Sequence, residues 1–422
     1  TVFGTVILGS NPRAPAKKMT ENLKQIREAQ KIYEVLNKSR DKVVCRFVGG
    51  CVRDQILKVQ IKDIDMATSL TPDEVSEILK EQNIKFNDEN RGYGLISAFI
   101  GKFKFEITTL RKDINQSGRQ TDVIFTTDWK QDALRRDFTI NSIYYDYNNY
   151  IDPFNGITDL KNGKVRFVTD PDQKIKEDYL RALRYFRFFS IYSKCEHEEI
   201  VLKSITKHEN GISGLSNERK IQELSKILIG GNPYKLFGHK FCLDFFSYIY
   251  KGLKYFERLN FTKNNKIIDS SFDYIILLAL LLIDETENYR KFVKEFNLSN
   301  KIRNRFENLQ KNFTYDFSIS NEGIDLVEKK AINMPLIFIK DYIQFQYLVN
   351  NNYNYDDYKR NYDSLKNRGS DEFVFDKLLF QSKGIKDEEK LKKVFSFLRH
   401  RWQSNNNIIS EKDIEDAIEI YK

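Results

Sequence analysis

The most chemically specific stretch of the chain is GGCVRDQILKVQIKDIDMAT at residues 49–68, which contains two aspartates, Asp63 and Asp65, separated by one residue. In a β-strand, side chains two positions apart point to the same face, so the two carboxylates would project together. Neighbouring carboxylates repel each other unless cations lie between them, and hard divalent ions such as Mg²⁺ prefer oxygen ligands. The pair therefore predicts a magnesium site, and a two-ion site suits phosphoryl or nucleotidyl transfer.

The residues that precede the aspartates fit the same chemistry. Gly49 and Gly50 follow a strand-like run, and the absence of a Cβ lets phosphate oxygens approach backbone N–H groups. The Arg53 guanidinium can pair with the oxygens of the same phosphates, as in a nucleoside triphosphate. Taken alone, the stretch has a second interpretation, an ordinary strand–turn–helix with acids on its surface.

Apolar runs around this stretch predict the elements that hold it. The strand-like runs are VVCRFV (43–48), IKDIDMA (61–67), LISAFI (95–100), KFEITTL (104–110) and DVIFTT (122–127). A helical stripe covers 21–37, and Thr71 followed by Pro72 is typical of an N-cap and the first position of a helix. This mixture predicts an α+β domain with a small mixed sheet and helices.

The rest of the chain has a different character. From about residue 172 the patterns are mostly helical and proline is rare. The longest apolar run, YIILLALLLI at 274–283, is too short to cross a bilayer and is typical of a buried helix. We therefore expect an elongated all-α region after the α+β domain.

Composition and charge restrict the class of protein. With 31% charged and 14% aromatic residues, the chain is neither a disordered nor a membrane protein. Four cysteines without close spacing and four scattered histidines offer neither a disulfide framework nor a zinc site. A net charge of +9 fits a polyanionic partner such as nucleic acid, although codon bias in an AT-rich genome produces a similar lysine excess.

Two further segments add residues to the candidate site. Glu106 lies on a predicted strand and is either a third carboxylate beside the aspartate pair or a surface acid. In RRDFTIN (135–141), Asp137 and Asn141 are four residues apart and would share one face of a helix.

The segment EDYLRALRYFRF (177–188) spaces Asp178, Arg181 and Arg184 three residues apart, along one side of a predicted helix. Cytosine and adenine each present an amino donor beside a ring-nitrogen acceptor, whereas uracil and guanine present a carbonyl beside a ring N–H. An aspartate acceptor next to an arginine donor therefore matches C and A. The alternative is a surface ion pair of little energetic value.

In their order along the chain, these motifs resemble those of the class II tRNA nucleotidyltransferases, the CCA-adding enzymes of the polymerase beta superfamily. The series is GGCVRD, DID, FEITTLR, RRDFTINS, DPFNGITDLKNGKVRF, EDYLRALRYFRF and GISGLSNERKIQEL, from Phe47 to about Leu228. The run from FEITTLR to RYFRF is most similar to mitochondrial-type and eukaryotic members. The resemblance implies template-independent addition of CCA to the tRNA 3′ end from CTP and ATP, with two Mg²⁺ ions and release of pyrophosphate.

The resemblance also implies roles for residues at matching positions. The catalytic residues would be Asp63, Asp65 and Glu106, with the two aspartates as metal ligands. The nucleotide sugar and triphosphate would be bound by Gly49, Gly50, Arg53, Arg135, Arg136, Asp137 and Asn141. The incoming base would be selected by Asp178, Arg181 and Arg184. The helix that carries them would be braced by Glu218, Arg219 and Glu223, from a helix capped by Asn217.

The segment KDINQSGRQTD (112–122) resembles the flexible loop of family members that switch from adding C to adding A. Gly118 and Arg119 are its matching residues. Ser117 stands where an acidic residue commonly precedes them, which leaves the efficiency of the final A addition open. An ordinary polar hairpin loop is the alternative.

The resemblance implies a division of the chain into five parts. These are a leader at 1–20, disordered or targeting; a nucleotidyltransferase head (palm) at 21–165; a helical neck for base recognition at 166–230; a helical body at 231–340; and a tRNA-binding helical tail at 341–422. The expected partners are tRNA, CTP and ATP, with no membrane, and the state is a monomer or a homodimer. The expected location is the cytoplasm, or the mitochondrion if residues 1–20 are a targeting remnant.

Three other functions remain open from the sequence. Poly(A) polymerases share the head and neck motifs, and CC-only or A-only tRNA nucleotidyltransferases are near neighbours. A non-catalytic RNA-binding protein is an alternative of another class. Intact Asp63, Asp65, Arg53 and Asp178 argue against the last of these.

Overall fold

A computed structural model describes residues 22–61, 63–117, 120–261, 263, 266–284, 286–313, 335–365, 376–405 and 408–422. These residues form two compact units, one that ends at Asn232 and one that runs from Pro233 to Lys422. Within the described ranges, no helix is long and apolar enough to span a membrane.

The first unit contains nine strands and ten α-helices in its described residues. The strands are Cys45–Val48 (β1), Ile64–Thr68 (β2), Lys85–Asn87 (β3), Leu95–Ile100 (β4), Phe103–Thr109 (β5), Arg111–Ser117 (β6), Gln120–Phe125 (β7), Tyr144–Tyr145 (β8) and Tyr150–Ile151 (β9). The helices are Arg27–Asn37 (α1), Gly50–Ile56 (α2), Pro72–Glu81 (α3), Trp129–Leu134 (α4), Gly156–Asn162 (α5), Pro171–Glu177 (α6), Leu180–Tyr192 (α7), Glu199–Lys207 (α8), Glu209–Ser213 (α9) and Asn217–Gly230 (α10). Single 3₁₀ turns are formed by Arg91–Tyr93 and Thr139–Asn141.

Seven of the strands form one mixed sheet in the order β3-β4-β5-β2-β1-β8-β9. Strands β2 and β5 pair in parallel, and β1 pairs with β2 antiparallel. The central strands therefore carry the IDMAT and FKFEITT segments side by side. Strands β6 and β7 form a separate two-stranded ribbon. The mixed sheet and its helices confirm the predicted α+β domain.

Alternation along β2 fixes which side chains face the core. Ile64 and Met66 are buried in the main apolar cluster, with exposed fractions of 2% and 0%, so Asp65 between them points to the opposite face. The predicted strand at 61–67 is displaced, because β2 begins at Ile64 and Asp63 lies immediately before it, exposed.

Helix α3 begins as the sequence predicts. Thr71 Oγ1 accepts a hydrogen bond from the Glu74 backbone N–H, and the Glu74 carboxylate accepts one from the Thr71 N–H, which completes a capping box. Pro72 occupies the first helical position, where its missing N–H costs nothing. Helix α1 is shorter than the predicted 21–37 stripe and begins at Arg27.

The second unit contains only helices and irregular segments in its described residues. The helices are Tyr234–Phe237 (α11), Lys240–Ile249 (α12), Tyr274–Leu282 (α13), Asn288–Glu295 (α14), Asn300–Phe313 (α15), Leu336–Val349 (α16), Tyr355–Ser364 (α17), Lys377–Ser382 (α18), Glu388–Ser404 (α19) and Glu411–Tyr421 (α20), with a 3₁₀ turn at Phe256–Leu259. Helix α13 is buried from Ile275 to Leu282, as its uniformly apolar sequence predicts.

Candidate active site

The parallel pairing of β2 and β5 brings two carboxylates together. Asp65 is directly in register with Glu106 on the neighbouring strand. Both side chains leave the sheet on the face opposite the apolar cluster, and Asp63 precedes the same strand by one residue. The structure thus gathers the three acids that the sequence separates by 43 positions.

The electrostatics of this group are unbalanced. Burial and the nearby charge of Glu106 raise the pKa of Asp65 from 3.8 to about 6, with the Arg136 guanidinium acting in the opposite direction. Lys104 Nζ donates a hydrogen bond to Glu106 Oε1 at 2.6 Å, and this contact raises the pKa of the lysine. Asp65 therefore lies where additional positive charge would be stabilising.

A divalent cation would supply that charge. Among the described residues, no three or more His, Cys, Asp or Glu side chains are arranged as a metal cluster, and Glu106 is turned towards Lys104. The donors that fit a cation are therefore the carboxylates of Asp63 and Asp65, because oxygen ligands of this kind suit Mg²⁺ and because their mutual repulsion is relieved by it.

The turn between β1 and α2 passes close to these carboxylates. Gly49 has a φ of 75°, in the left-handed region that favours glycine. A Cβ there would lie 3.9 Å from Asp65 Oδ2 and 3.8 Å from Arg136 Nη1. The turn thus passes directly beside a carboxylate and a guanidinium, and Gly50 follows as the first residue of α2.

A chain of hydrogen bonds runs away from this turn. Arg53 Nη1 donates to Asn141 Oδ1 at 2.6 Å, Asn141 Nδ2 donates to Asp137 Oδ1 at 3.0 Å, and Arg184 Nε donates to Asp137 Oδ2 at 2.6 Å. Burial alone would raise the pKa of Asp137, but the Arg184 charge and the Asn141 hydrogen bond lower it to about 2. Asp137 is therefore ionised and holds both neighbours.

The backbone around these hydrogen bonds corrects one prediction. Asp137 and Asn141 do not share a helix face, because Asp137 precedes the 3₁₀ turn Thr139–Asn141 and no α-helix forms there. The tight turn brings the two side chains together instead, so the predicted contact exists on a different backbone.

Arg135 and Arg136 are oriented by a residue that the motif analysis missed. Asp132 is fully buried, and its two carboxylate oxygens accept hydrogen bonds from Arg135 Nε at 2.8 Å and from Arg136 Nη2 at 3.1 Å. Tyr144 Oη donates to the same carboxylate at 2.8 Å. The spacing of Asp132 to the two arginines, three and four residues, was the signal available in the sequence.

Several of these residues line an open cleft of about 470 Å³. Its lining includes Asp65, Glu106, Arg111, Arg135 and Arg136. Two carboxylates therefore line the cleft together with three guanidinium groups. That arrangement can hold a polyphosphate by its oxygens, and cations held by the aspartates would supply positive charge to its phosphates.

Similarity to known proteins agrees with this geometry. A family model described as the poly A polymerase head domain matches residues 45–166. Human mitochondrial CCA tRNA nucleotidyltransferase 1 is 38% identical over 304 residues, which cover 71% of this chain and 67% of the human protein. The chain belongs to the family of CCA-adding tRNA nucleotidyltransferases. It is therefore a nucleotidyltransferase.

Bacterial members of the CCA-adding family give the same result. The CCA-adding enzyme of Staphylococcus aureus (strain MRSA252) is 32% identical over 309 residues, which cover 70% of this chain and 69% of that enzyme. The mouse relative of the human protein is 44% identical over 189 residues, which cover 44% of either protein.

Solved structures of CCA-adding enzymes share the fold. The Bacillus stearothermophilus CCA-adding enzyme in complex with CTP superposes with a TM-score of 0.63 at 21% identity, covering 93% of this chain and 96% of that one. The Thermotoga maritima CCA-adding enzyme complexed with tRNA gives a TM-score of 0.52 at 19% identity, covering 96% and 100%. At this identity, the likeness supports the α+β head and helical remainder.

The residues expected to select the base in a CCA-adding enzyme lie around the junction of α6 and α7. Asp178 has extended backbone, and its two carboxylate oxygens accept hydrogen bonds from Arg219 Nη2 at 3.0 and 2.8 Å. The prediction that Asp178 lies on one side of a helix with Arg181 and Arg184 is wrong, because α7 begins only at Leu180. Asp178 is held by α10 instead.

The two arginines of α7 make their hydrogen bonds elsewhere. Arg181 is nearly buried and donates to the Glu177 carboxylate, to the Lys174 carbonyl and, at 2.9 Å, to the Arg135 carbonyl. Arg184 donates to Asp137, as described above. Both side chains therefore connect α7 to the residues around the cleft.

The three residues predicted to brace α7 have different contacts. Arg219 holds Asp178, and Glu223, which is 2% exposed, lies 2.9 Å from Arg187 Nε on α7. Glu218 instead accepts a hydrogen bond from Gln222 on its own helix, at 3.2 Å. The capping prediction is wrong by one residue, because Ser216 rather than Asn217 caps α10.

The segment that resembles the flexible loop is only partly described. Gly118 and Arg119 lie outside the described residues, and their predicted role stays a prediction. The flanking residues are strands β6 and β7 of the two-stranded ribbon, with a register shift between Ile114 and Ser117. The strand predicted at 122–127 is observed as β7, which begins earlier, at Gln120, and ends at Phe125.

Proposed function

We propose that this chain adds C, C and A in turn to the 3′ end of tRNA, using CTP and ATP without a nucleic-acid template. The observation that carries the proposal is the register of Asp65 with Glu106 beside Asp63, at a cleft that Arg135 and Arg136 also line. Family membership supports the same reaction, because the relatives are named for it.

In the proposed reaction, the tRNA 3′ hydroxyl loses its proton to solvent as its oxygen forms a bond to the α-phosphorus of the nucleotide. The bond from that phosphorus to the bridging oxygen breaks, and pyrophosphate leaves with the electron pair. Asp63 and Asp65 would hold two Mg²⁺ ions, which supply charge neutralisation at the phosphates and an acidified hydroxyl. The protein residues supply position.

The turn at Gly49 and Gly50 would accept triphosphate oxygens through backbone N–H groups, with Arg53 and Arg136 alongside. Asn141 and Asp137 would orient the sugar from the hydrogen-bonded chain that ends at Arg184. Because burial fixes these groups before the nucleotide arrives, little reorganisation is needed at the moment of reaction.

Base selection would use Asp178 as the acceptor for the amino group of cytosine or adenine. In this structure the arginine that contacts Asp178 is Arg219, whereas Arg181 is held by Glu177. Use of Arg181 as the donor to the base therefore requires its contact with Glu177 to break.

The test uses tRNA transcripts that end before CCA, incubated with Mg²⁺ and CTP, ATP or both, with products resolved to single nucleotides. Two additions with CTP alone and a stop after three with both nucleotides are expected. A stop after two with both would make this a CC-adding enzyme, and a long ladder with ATP alone would make it a poly(A) polymerase. Binding of tRNA without any addition would support the non-catalytic alternative.

We further propose that this activity operates in the mitochondrion, with the cytoplasm as the alternative. The support is the naming of the human and mouse relatives as mitochondrial. Localisation of the natural protein with a C-terminal tag, against markers of both compartments, separates the two.

A further inference from the structure

One aromatic side chain at the cleft has no role in the reaction described so far. Tyr93 ends the 3₁₀ turn before β4, lines the cleft together with Asp65 and Glu106, and is 53% exposed. A large ring left open to solvent in a cleft lined by two carboxylates and three guanidinium groups is poorly explained by packing.

The backbone at Tyr93 is held firmly. Its N–H donates to the Asn90 carbonyl at 3.0 Å, and its own carbonyl accepts a hydrogen bond from the Arg111 guanidinium. Gly94 follows with a φ of 78°, and the Phe125 ring of β7 packs so closely over it that a Cβ would lie 2.8 Å from Phe125 Cε1. The exposed ring therefore stands on a fixed turn.

The sheet order places this turn on one side of the carboxylates. Gly49 and Asn141 adjoin β1 and β8, on one flank of β2, whereas Tyr93 adjoins β4, on the far side of β5. The acids of β2 and β5 stand between the two flanks. The Gly49 turn, which is proposed to accept triphosphate oxygens, thus lies on the flank opposite Tyr93.

In an in-line displacement, the attacking and leaving oxygens lie on opposite sides of the phosphorus. If the pyrophosphate leaves towards the Gly49 flank, the 3′ hydroxyl must arrive from the β4 flank. We propose that the Tyr93 ring stacks on the 3′-terminal base of the acceptor strand and so positions its hydroxyl. The inference rests on the proposed function and identifies a binding residue for the RNA end.

Stacking suits a surface that must accept several bases in succession. As the strand grows, the terminal base changes from the discriminator nucleotide to C and again to C, and a π-face binds every base without reading its edge. A hydrogen-bonding side chain at this position would favour one terminal base over another. An exposed tyrosine ring meets the requirement.

The experiment measures steady-state addition of C by the full chain, with Tyr93→Leu compared with Tyr93→Phe, which keeps the ring. The control is Tyr150→Leu, because Tyr150 is also exposed, at 42%, but lies on the far edge strand β9. For Tyr93→Leu, the KM for the RNA should rise on the order of tenfold, with the KM for CTP changed by less than about twofold. Tyr93→Phe and Tyr150→Leu should resemble the unmodified protein.

A second readout places 2-aminopurine at the 3′ end of the RNA. Its fluorescence should be quenched on binding to the unmodified protein and to Tyr93→Phe, and should stay high with Tyr93→Leu. A rise in the KM for CTP alone would assign the ring to the incoming base and overturn the proposal, as would unchanged quenching. Failure of the unmodified protein to extend tRNA would instead reject the proposed function, so the two failures are distinguishable.

Discussion

Asp65 is the residue at which burial, charge and proposed function meet. Its folded-state pKa of about 6 lies above the ordinary 3.8, so the folded protein favours the protonated carboxyl. The free energy of unfolding should therefore fall as pH rises from about 4 to about 6. Above about pH 6 the folded protein carries the whole destabilisation caused by the ionised Asp65 carboxylate.

Asp65→Asn removes this titration. In EDTA, we expect the variant to be more stable than the unmodified protein at pH 7.5, by roughly 3 kcal/mol, and to gain little at pH 4.5. Added Mg²⁺ should raise the melting temperature of the unmodified protein at pH 7.5 and leave the variant nearly unchanged. An equal gain at both pH values would show that the carboxylate charge carries no cost.

The aspartate pair should act as one unit in catalysis. We expect Asp63→Ala and Asp65→Ala each to reduce nucleotide addition to near background, and the double variant to be little worse than either. Binding of tRNA, measured by filter retention, should persist in all three. Sustained turnover in Asp63→Ala would remove that residue from the proposed metal site.

At the scale of elements, the contact between α10 and the α6–α7 junction decides where Asp178 points. Without Arg219, the Asp178 carboxylate loses the partner that holds both of its oxygens. We expect Arg219→Ala to relax discrimination of CTP over UTP by about 1–3 kcal/mol, the value of one good base-edge contact, as Asp178→Ala should also do.

Two controls separate positioning from general loss of structure. Glu218→Ala changes the same helix at a residue whose hydrogen bond stays within α10, and it should leave discrimination unchanged. Arg219→Lys keeps the charge and should retain part of the discrimination. If Arg219→Ala lowers kcat equally for CTP and UTP, α10 only supports the fold.

The sequence predicted elements well where one physical signal acted alone. Strand β4 matches LISAFI at both ends, and the Thr71 capping box is where its residues require it. Prediction failed where side chains compete with the backbone. The Asp178 carboxylate accepts a hydrogen bond from the Leu180 N–H, and Asp178 lies outside α7. At Asp137, a 3₁₀ turn forms in place of the expected helix.

The candidate site shows the same division. Pairing of Asp65 with Glu106 depends on a parallel register between strands distant in sequence, which no local pattern specifies. The role of Asp132 was visible only as helical spacing to two arginines. The partner of Asp178 could not be inferred from EDYLR, because Arg219 comes from a different helix.

For the whole molecule, the net charge of +9 raises the question of which surfaces other than the cleft bind RNA. Helix α19 offers one surface in the second unit. Lys392, Lys393 and Arg401 line a groove of about 540 Å³ together with Phe397 and with Glu389, which pairs with Lys393. Cations interleaved with an aromatic ring are typical of a surface that follows a nucleic-acid backbone.

We expect the double substitution Lys392→Gln and Lys393→Gln to weaken tRNA binding and to reduce the dependence of log K on log salt by between about 1 and 2. Each lysine that neutralises one phosphate releases counterions. The loss of tRNA affinity caused by the double substitution should therefore shrink as the salt concentration rises. The rate of C addition at saturating tRNA and the KM for CTP should not change, because no residue of the cleft is altered. Lys240→Gln, at an exposed lysine paired with Asp244 in the same unit, controls for charge alone. An equal effect of Lys240→Gln would mean that net charge attracts tRNA without a defined site on α19.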